Sequence, residues 1–243
     1  MSAPRVCLLT GAGGRLGSAF CWSYASRYQI AALWSRRPPL FASQDQRVFD
    51  PLGEEADLHE NRCPVLTIRA DVTSRAAIAR AVDQVLSRLG RVDLLVHAAG
   101  FRHWAPMLDG DSLLDSVDRH FDVNVRAPLA LTLEVAKRFW AGRAAENAAA
   151  NRNVVTVSST AGVRVYPGHG QSVYAASKAA LNHLTRHLAA ELRPLGVRAN
   201  ALAPDSFPGI VPTAQVTQAL VRLDEGTATG RVLMLEAHGE SWV

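Results

Sequence analysis

The chain has 243 residues, 48% hydrophobic and 20% charged, enough to bury a sizeable core within one α/β domain spanning residues 1–243. Its formal charge of +4 is spread thinly, with no basic run longer than Arg36-Arg37, which argues against a nucleic-acid surface and leaves anionic small molecules as partners. Cys7, Cys21 and Cys63 show no Cys-x-x-Cys spacing, no segment approaches a membrane span and the N-terminus lacks signal-peptide architecture, so a soluble, cytoplasmic protein with free thiols and no metal site is expected.

Val6 to Thr10 reads as a strand, Gly11 to Gly14 as a tight turn and Arg15 to Tyr28 as a helix. A strand, a Gly-rich turn and a helix make a phosphate-binding start: the glycines admit the pyrophosphate close to the backbone and the helix N-terminus offers it free N–H groups. Ile30 to Trp34 is a second strand, followed by Ser35-Arg36-Arg37. A carboxylate at this point would suit NAD, whereas two guanidiniums suit the 2′-phosphate of NADP; the alternative is that both arginines are solvated surface charges. Pro38 to Cys63 reads as an irregular excursion holding one short helix. Val65 to Ala70 is a strand ending at Asp71-Val72, and Ser74 to Leu89 an amphipathic helix capped by Thr73 or Ser74. Val92 to Val96 is the fourth strand, running into His97-Ala98-Ala99-Gly100, whose small residues let a ligand pass close to the backbone.

Ser112 to Ala141 is one long helical pattern that contains Asn124 and is kinked at Pro128, and Ala144 to Asn153 reads as a loose connection. Val154 to Val157 is a buried strand ending at Ser158-Ser159, followed by a loop rich in Gly and Pro and a helix opening at Tyr174. Tyr174 and Lys178, four residues apart, share one helix face. An ammonium about 5 Å from a phenolate interacts with it by roughly 3 kcal/mol at a dielectric of ~20, so Lys178 is expected to lower the Tyr174 pKa by about two units from ~10. A strand from Val197 to Ala203, a helix from Pro212 to Leu223 and a seventh strand from Val232 to Leu235 complete an alternating pattern, which implies a parallel sheet covered on both faces. His183 and His187 have a metal-ligand spacing but lie roughly 180° and 220° around the helix from Tyr174, which makes them surface or subunit-contact residues.

Seven pieces in order resemble the short-chain dehydrogenase/reductase family over nearly the whole chain: Thr10 to Gly17, Asp71-Val72, His97 to Gly100, Asn124-Val125, Ser158-Ser159, Tyr174 to Lys178, and Asn200 to Pro204. The resemblance implies a single-domain Rossmann-type doubly wound sheet of about seven strands and an NADP(H)-dependent oxidoreductase. It makes Tyr174 the general acid/base, Ser159 the hydroxyl that bonds the substrate carbonyl, Lys178 the holder of the nicotinamide ribose, and Asn124 the support of a relay water. Cofactor contacts are expected from Gly11, Gly13, Gly14, Arg15, Leu16, Gly17, Ser35, Arg36, Arg37, Asp71, Val72, Ala98, Ala99, Gly100, Tyr174, Lys178 and Pro204, with Asp71 at the adenine.

Three departures qualify the resemblance. Arg15 replaces a glycine, a pattern similar to pteridine reductases, although those generally carry Asp where this chain has Ser159. The interval from Ser159 to Tyr174 is 15 positions, about two more than usual, which enlarges the loop of Tyr166, Pro167 and His169 and leaves Ser158 as a substitute for Ser159. The segment from Pro204 to Thr229 is about half the usual length, so the helical lid is missing and Asp205 stands where glycine is usual. Substrate contacts are then expected at Phe101, His103, Trp104, Tyr166, His169 and Phe207, each of which otherwise serves loop packing or an oligomer contact. The expected activity is reduction of a carbonyl, or its reverse. The alternatives are reduction of a C=N or C=C bond in an imine or pterin-like heterocycle, and a non-catalytic NADP-binding sensor or scaffold. A homodimer or homotetramer through the two long helical patterns is expected from the same resemblance.

Overall fold

The computed structural model describes residues 4–39 and 65–243. The expected excursion from Pro38 to Cys63 lies almost wholly outside the described residues.

Val6 to Leu9 pack on both faces of β1 (Arg5–Thr10), where all four are fully buried. Such a strand belongs in the centre of a two-sided sheet, and β1 indeed pairs in parallel with β2 (Tyr28–Trp34) on one side and β4 (Leu94–His97) on the other. With β3 (Val65–Arg69), β5 (Asn153–Val157), β6 (Arg198–Pro204), β7 (Val232–Glu236) and β8 (Gly239–Trp242), the strand order is β3-β2-β1-β4-β5-β6-β7-β8. Seven strands are parallel, as expected. β8 is an addition to the expectation, an antiparallel edge strand whose residues are all exposed and which therefore lacks the apolar alternation that marks the others.

Alternate residues of the parallel strands feed two large cores, with Ala201, Ala203, Val232 and Met234 forming a third, smaller cluster. Cys7, Leu9 and Ile30 meet Phe20 of α1 (Arg15–Tyr24) and Leu220 of α8 (Thr213–Glu225) on one face. Leu8, Ala31 and Leu33 meet Val82 of α2 (Arg75–Leu89) and Leu188 of a long helix over Ser172–Leu192 on the other. Each fully buried leucine contributes about 1.5–3 kcal/mol of transfer free energy, so period-two burial on both faces sets the register. Cys7 and Cys21 are free and buried in the first core, and burial pushes the Cys21 thiol up to about 12. Cys63 lies outside the described residues.

The long helical pattern is broken up. It comprises α3 (Gly110–Asp115), α4 (Val117–Phe121), a π-helical turn over Asp122–Arg126, α5 (Ala127–Val135) and a second π turn over Ala136–Trp140. The disruption precedes Pro128, as its missing N–H requires. Three further boundaries differ from expectation. The first helix stops at Tyr24 and Tyr28 opens β2; Ala144–Ala149 forms a helix, α6, because alanines favour one and the buried Asn147 amide donates to the Trp140 and Leu195 carbonyls; and the helix over Ser172–Leu192, α7, begins two residues before Tyr174. Among the described residues no helix is long and apolar enough to cross a membrane.

At the amino ends of the strands, the buried Asp224 carboxylate accepts two bonds from Arg5, at 3.0 and 2.8 Å, and one from the Tyr28 hydroxyl at 2.9 Å. Removing the carboxylate strands a partly buried guanidinium, whereas removing the hydroxyl loses one neutral donor. Asp224→Ala should therefore cost about 3 kcal/mol and Tyr28→Phe about 1 kcal/mol, read from urea unfolding midpoints. Arg5 also donates to the Asp93, Ala150 and Asn151 carbonyls, and equal losses in the two variants would show that these alone satisfy it.

Candidate active site

The strand order reverses between β1 and β4, and ligands of open α/β sheets bind outside the carboxyl ends at such a point. Here a cleft of about 900 Å³ opens at those ends. Its floor depends on close backbone approaches. Gly11 has φ +68°, and a Cβ on it would lie 2.5 Å from the Ala99 nitrogen; a Cβ on Gly13 would overlap the Arg37 carbonyl oxygen. Glycine at both positions is what lets the ends of β1, β2 and β4 converge. α1 then starts at Gly14 with no side chain capping its first N–H groups and no acidic residue in its first turn, a donor set that fits a phosphate.

Gly11, Gly14, Arg15, Leu16, Gly17, Arg36 and Arg37 line one part of the cleft, with Ala98, Gly100 and Pro204 beside them. Val72 and Ala99 instead line a small adjoining hollow with Thr10 and His97, and Thr10 Oγ1 accepts from the Ala99 N–H at 3.1 Å. Asp71 and Ser35 stand apart from the cleft wall. The Asp71 carboxylate accepts from the Thr73 N–H and hydroxyl at 2.9 and 2.8 Å, bonds that hold it below the usual carboxylate range, and the Ser35 carbonyl accepts from Arg69. His97 is fully buried against Thr132 Oγ1 at 2.9 Å, and burial pushes it down to about 3, so it stays neutral.

Tyr174, Lys178 and Ser159 all line this cleft. α7 carries the first two and β5 ends just before the third. Ser158 does not share the role open to Ser159: it is buried and its hydroxyl donates to the Lys178 carbonyl at 3.2 Å, while Ser159 lines the cleft with Tyr174, its Oγ accepting from the Ala161 N–H at 3.2 Å. Lys178 is 4% exposed, its ammonium donating to the Val157 carbonyl at 2.8 Å, and burial lowers it to about 8. The expected depression of Tyr174 is corrected by the structure. Burial raises the phenol above its ordinary value, and the opposing pull comes from the Ser159 hydroxyl and the charge of Arg102 rather than from Lys178, whose ammonium is 5.9 Å from the ring centre.

Asn124 is fully buried within the π turn, where its Oδ1 accepts from the Phe101 N–H at 2.8 Å and its Nδ2 donates to the Phe101 carbonyl and Ser177 Oγ at 3.0 and 2.9 Å. Its side chain is thus occupied in holding the 101–104 segment against α7. Its main-chain carbonyl is differently placed, because residue 128, the donor four positions ahead in a regular helix, is proline.

Of the expected substrate contacts, Phe101, Trp104, Tyr166, His169 and Phe207 line the cleft. His103 does not: its ring meets Ser112 Oγ at 2.8 Å and its N–H donates to His120. Arg102 and Gln171 line the cleft and escaped the sequence reading, as did His120, which is buried 6.2 Å from the Tyr174 ring. A usable signal existed for Arg102, since side chains alternate along an extended segment and Trp104 lies two residues on. The segment after Pro204 is short, as expected: a turn leads straight to α8 with no helix between them. His183 and His187 contact each other on the exposed side of α7.

Residues 5–220 match the model of the short chain dehydrogenase family. The chain is 31% identical over 202 residues to a short chain dehydrogenase of Pseudocercospora fijiensis, covering 83% of this chain and 59% of that protein. It is 35% identical over 204 residues to the L-xylulose reductase of Mesocricetus auratus, covering 83% and 71% of the two. A short-chain dehydrogenase/reductase from Serratia marcescens superposes with a TM-score of 0.72 at 26% identity over 96% of each chain. The chain thus spans between about three fifths and seven tenths of the length of these two relatives, and its fold and match place it in a single group. The protein belongs to the short-chain dehydrogenase/reductase family.

Proposed function

We propose that the protein is an NADPH-dependent oxidoreductase that interconverts a carbonyl and an alcohol. The observation that carries this reading is the convergence of Ser159, Tyr174 and the buried Lys178 on one cleft that is also lined by a Gly-rich turn and three further cations, Arg15, Arg36 and Arg37. A nicotinamide bound in the cleft would supply the hydride for the carbonyl carbon. Ser159 and Tyr174 donate hydrogen bonds to the carbonyl oxygen, and the Tyr174 proton passes to that oxygen as it gains negative charge. Lys178 stabilises the developing charge from a site where water cannot screen it. A phenol raised by burial is protonated at neutral pH, the form required for reduction. The free N–H groups of the α1 N-terminus and Arg15 fit the pyrophosphate, and Arg36 and Arg37 fit a 2′-phosphate. Arg15 also supports a second reading, reduction of a C=N or C=C bond in a pterin-like heterocycle, which a substrate screen should include.

Tyr174→Phe removes one hydroxyl from a packed ring. It should retain NADPH binding and lose about 10²–10⁴-fold in kcat on any accepted ketone. Retention of most activity would move the proton donor elsewhere. For reduction, kcat/KM should be level below pH about 8 and fall as pH rises through it, because Lys178 loses its proton there in the free protein. A limb unchanged in Lys178→Arg would belong to another group.

Arg36→Ala should weaken NADPH by about tenfold or more and leave NADH nearly unchanged, since one charge-assisted contact is worth roughly 1.5–3 kcal/mol. Equal affinities of the native protein for the two cofactors, by titration, would remove the case for NADPH.

The exposed Leu129 and Leu133 of α5, 41% exposed each, with Phe121 at 37%, favour assembly into a homodimer or homotetramer through this helical layer. Sedimentation at micromolar concentration should show the oligomer, and Leu129→Glu with Leu133→Glu should dissociate it.

A further inference from the structure

Five cationic side chains line the cleft: Arg15, Arg36, Arg37, Arg102 and Lys178. Four have a place in the proposed chemistry. Arg102 does not, and among the described residues it forms no ion pair. Its contact is with Trp104, whose ring centre lies 5.0 Å from the guanidinium carbon, and the Trp104 ring is in turn 6.5 Å from the Tyr174 ring. A guanidinium lying over an indole keeps its N–H edge free, and that edge matches a carboxylate in two parallel bonds.

Two observations point to what the edge is for. Asp205 is the carboxylate that lines the cleft among the described residues; it accepts from the Ser206 N–H of its own turn at 2.7 Å and forms no ion pair with Arg102. The turn after Pro204 is short and leads to α8 with no helix between them, so among the described residues this part of the cleft offers polar contacts rather than enclosure in an apolar chamber. Charge and an aromatic wall are what this part of the cleft offers.

The geometry points to a carbonyl compound that bears a carboxylate on a planar, unsaturated frame as the substrate class. Arg102 holds the carboxylate, Trp104 flanks the frame, and the carbonyl lies at Ser159 and Tyr174. The fate of the carbonyl rests on the reductase reading, whereas capture of the carboxylate does not. In the reaction, hydride from NADPH adds to the carbonyl carbon, the Tyr174 proton adds to the oxygen, NADP⁺ leaves, solvent reprotonates Tyr174 and the carboxylate is unchanged. The carboxylate has a second effect. The charge of Arg102 reaches the Tyr174 phenol and favours its ionised form, so a carboxylate paired with Arg102 offsets that pull and keeps the phenol ready to donate.

The test uses 4-formylbenzoate and its methyl ester with the full chain in saturating NADPH. Binding is read by saturation-transfer NMR competition and turnover by loss of NADPH absorbance, for the native protein, Arg102→Met and Arg102→Lys. An NADPH titration of each variant checks the fold. The native protein should bind the carboxylate about tenfold or more tightly than the ester, with the preference weakened by salt. The ratio should fall to about one in Arg102→Met and be partly restored in Arg102→Lys. A native ratio near one, or a preference that survives Arg102→Met, overturns the proposal. Turnover separates the two readings: selective binding without NADPH consumption upholds the carboxylate site and sinks the reductase chemistry, while equal consumption of both compounds does the reverse.

Discussion

A buried ammonium is the constraint on which the site depends. Lys178 is nearly withdrawn from solvent, and an ion there is costly unless its surroundings hold it. The Val157 carbonyl, at the last residue of β5, accepts from Nζ, and the neighbouring Ser158 hydroxyl donates to the Lys178 carbonyl. The turn that follows is packed just as closely, since a Cβ on Gly162 would come within 2.7 Å of the Lys178 carbonyl carbon. The end of β5 and the first turns of α7 are therefore one unit, bonded in both directions. Ser159 and Tyr174 meet because each extends from that unit, although 15 residues separate them in the chain. The loop between them is tied down outside that unit, where the Gly170 carbonyl accepts from the Ala105 N–H at 3.0 Å.

Much of this was legible in the sequence because it rests on local signals. Continuous apolar runs mark strands buried on two faces, Gly11 to Gly14 mark the turn, and the spacing of Tyr174 and Lys178 marks a shared helix face. What was not legible depends on partners far away in the chain. Tyr28 resembles the end of a helix until the carboxylate of Asp224, 196 residues on, accepts its hydroxyl bond and fixes it at the start of β2. The role of Ser158 is hidden for the same reason, its partner being a backbone atom of α7. Periodicity also conceals a π turn, which shifts the hydrogen-bond register without altering composition. The pattern from Ser112 to Ala141 thus reads as a single helix, although the insertion at Asp122–Arg126 is what turns Asn124 onto Phe101 and Ser177.

The direction of the Tyr174 shift shows how far helix spacing alone can be trusted. Spacing places the ammonium and the phenol on one face, but it says nothing of the medium around either. Desolvation acts against both charged forms at once, raising the phenol and lowering the ammonium. The Coulomb attraction assumed between them at an intermediate dielectric presupposes that both are ionised, the combination that burial disfavours. In the protein alone the stable pair is a neutral phenol beside an ammonium that titrates near 8, which is a proton donor beside a cation. That state suits reduction, and it is reached by burial rather than by direct attraction.

The two ends of the sheet treat their cations in opposite ways. At the amino ends, Arg5 is paired with Asp224 and Arg152 with Asp93, while Arg198 donates to the Asn151 side chain and to the Leu223, Asp224 and Ala228 carbonyls. Each of these is held within a network that leaves no charge seeking a partner, as burial demands. At the carboxyl ends, Arg15, Arg36, Arg37 and Arg102 line an open cleft and form no ion pairs among the described residues. Exposure to water makes such cations tolerable, so stability does not require that they be neutralised. Their convergence on one cleft is what requires an explanation, since like charges gathered on one wall repel unless an anion joins them. Three belong with the phosphates of a dinucleotide on the reading given above. The fourth, Arg102, is the one whose charge reaches the phenol, and on the proposal above its anion is the carboxylate of the second ligand.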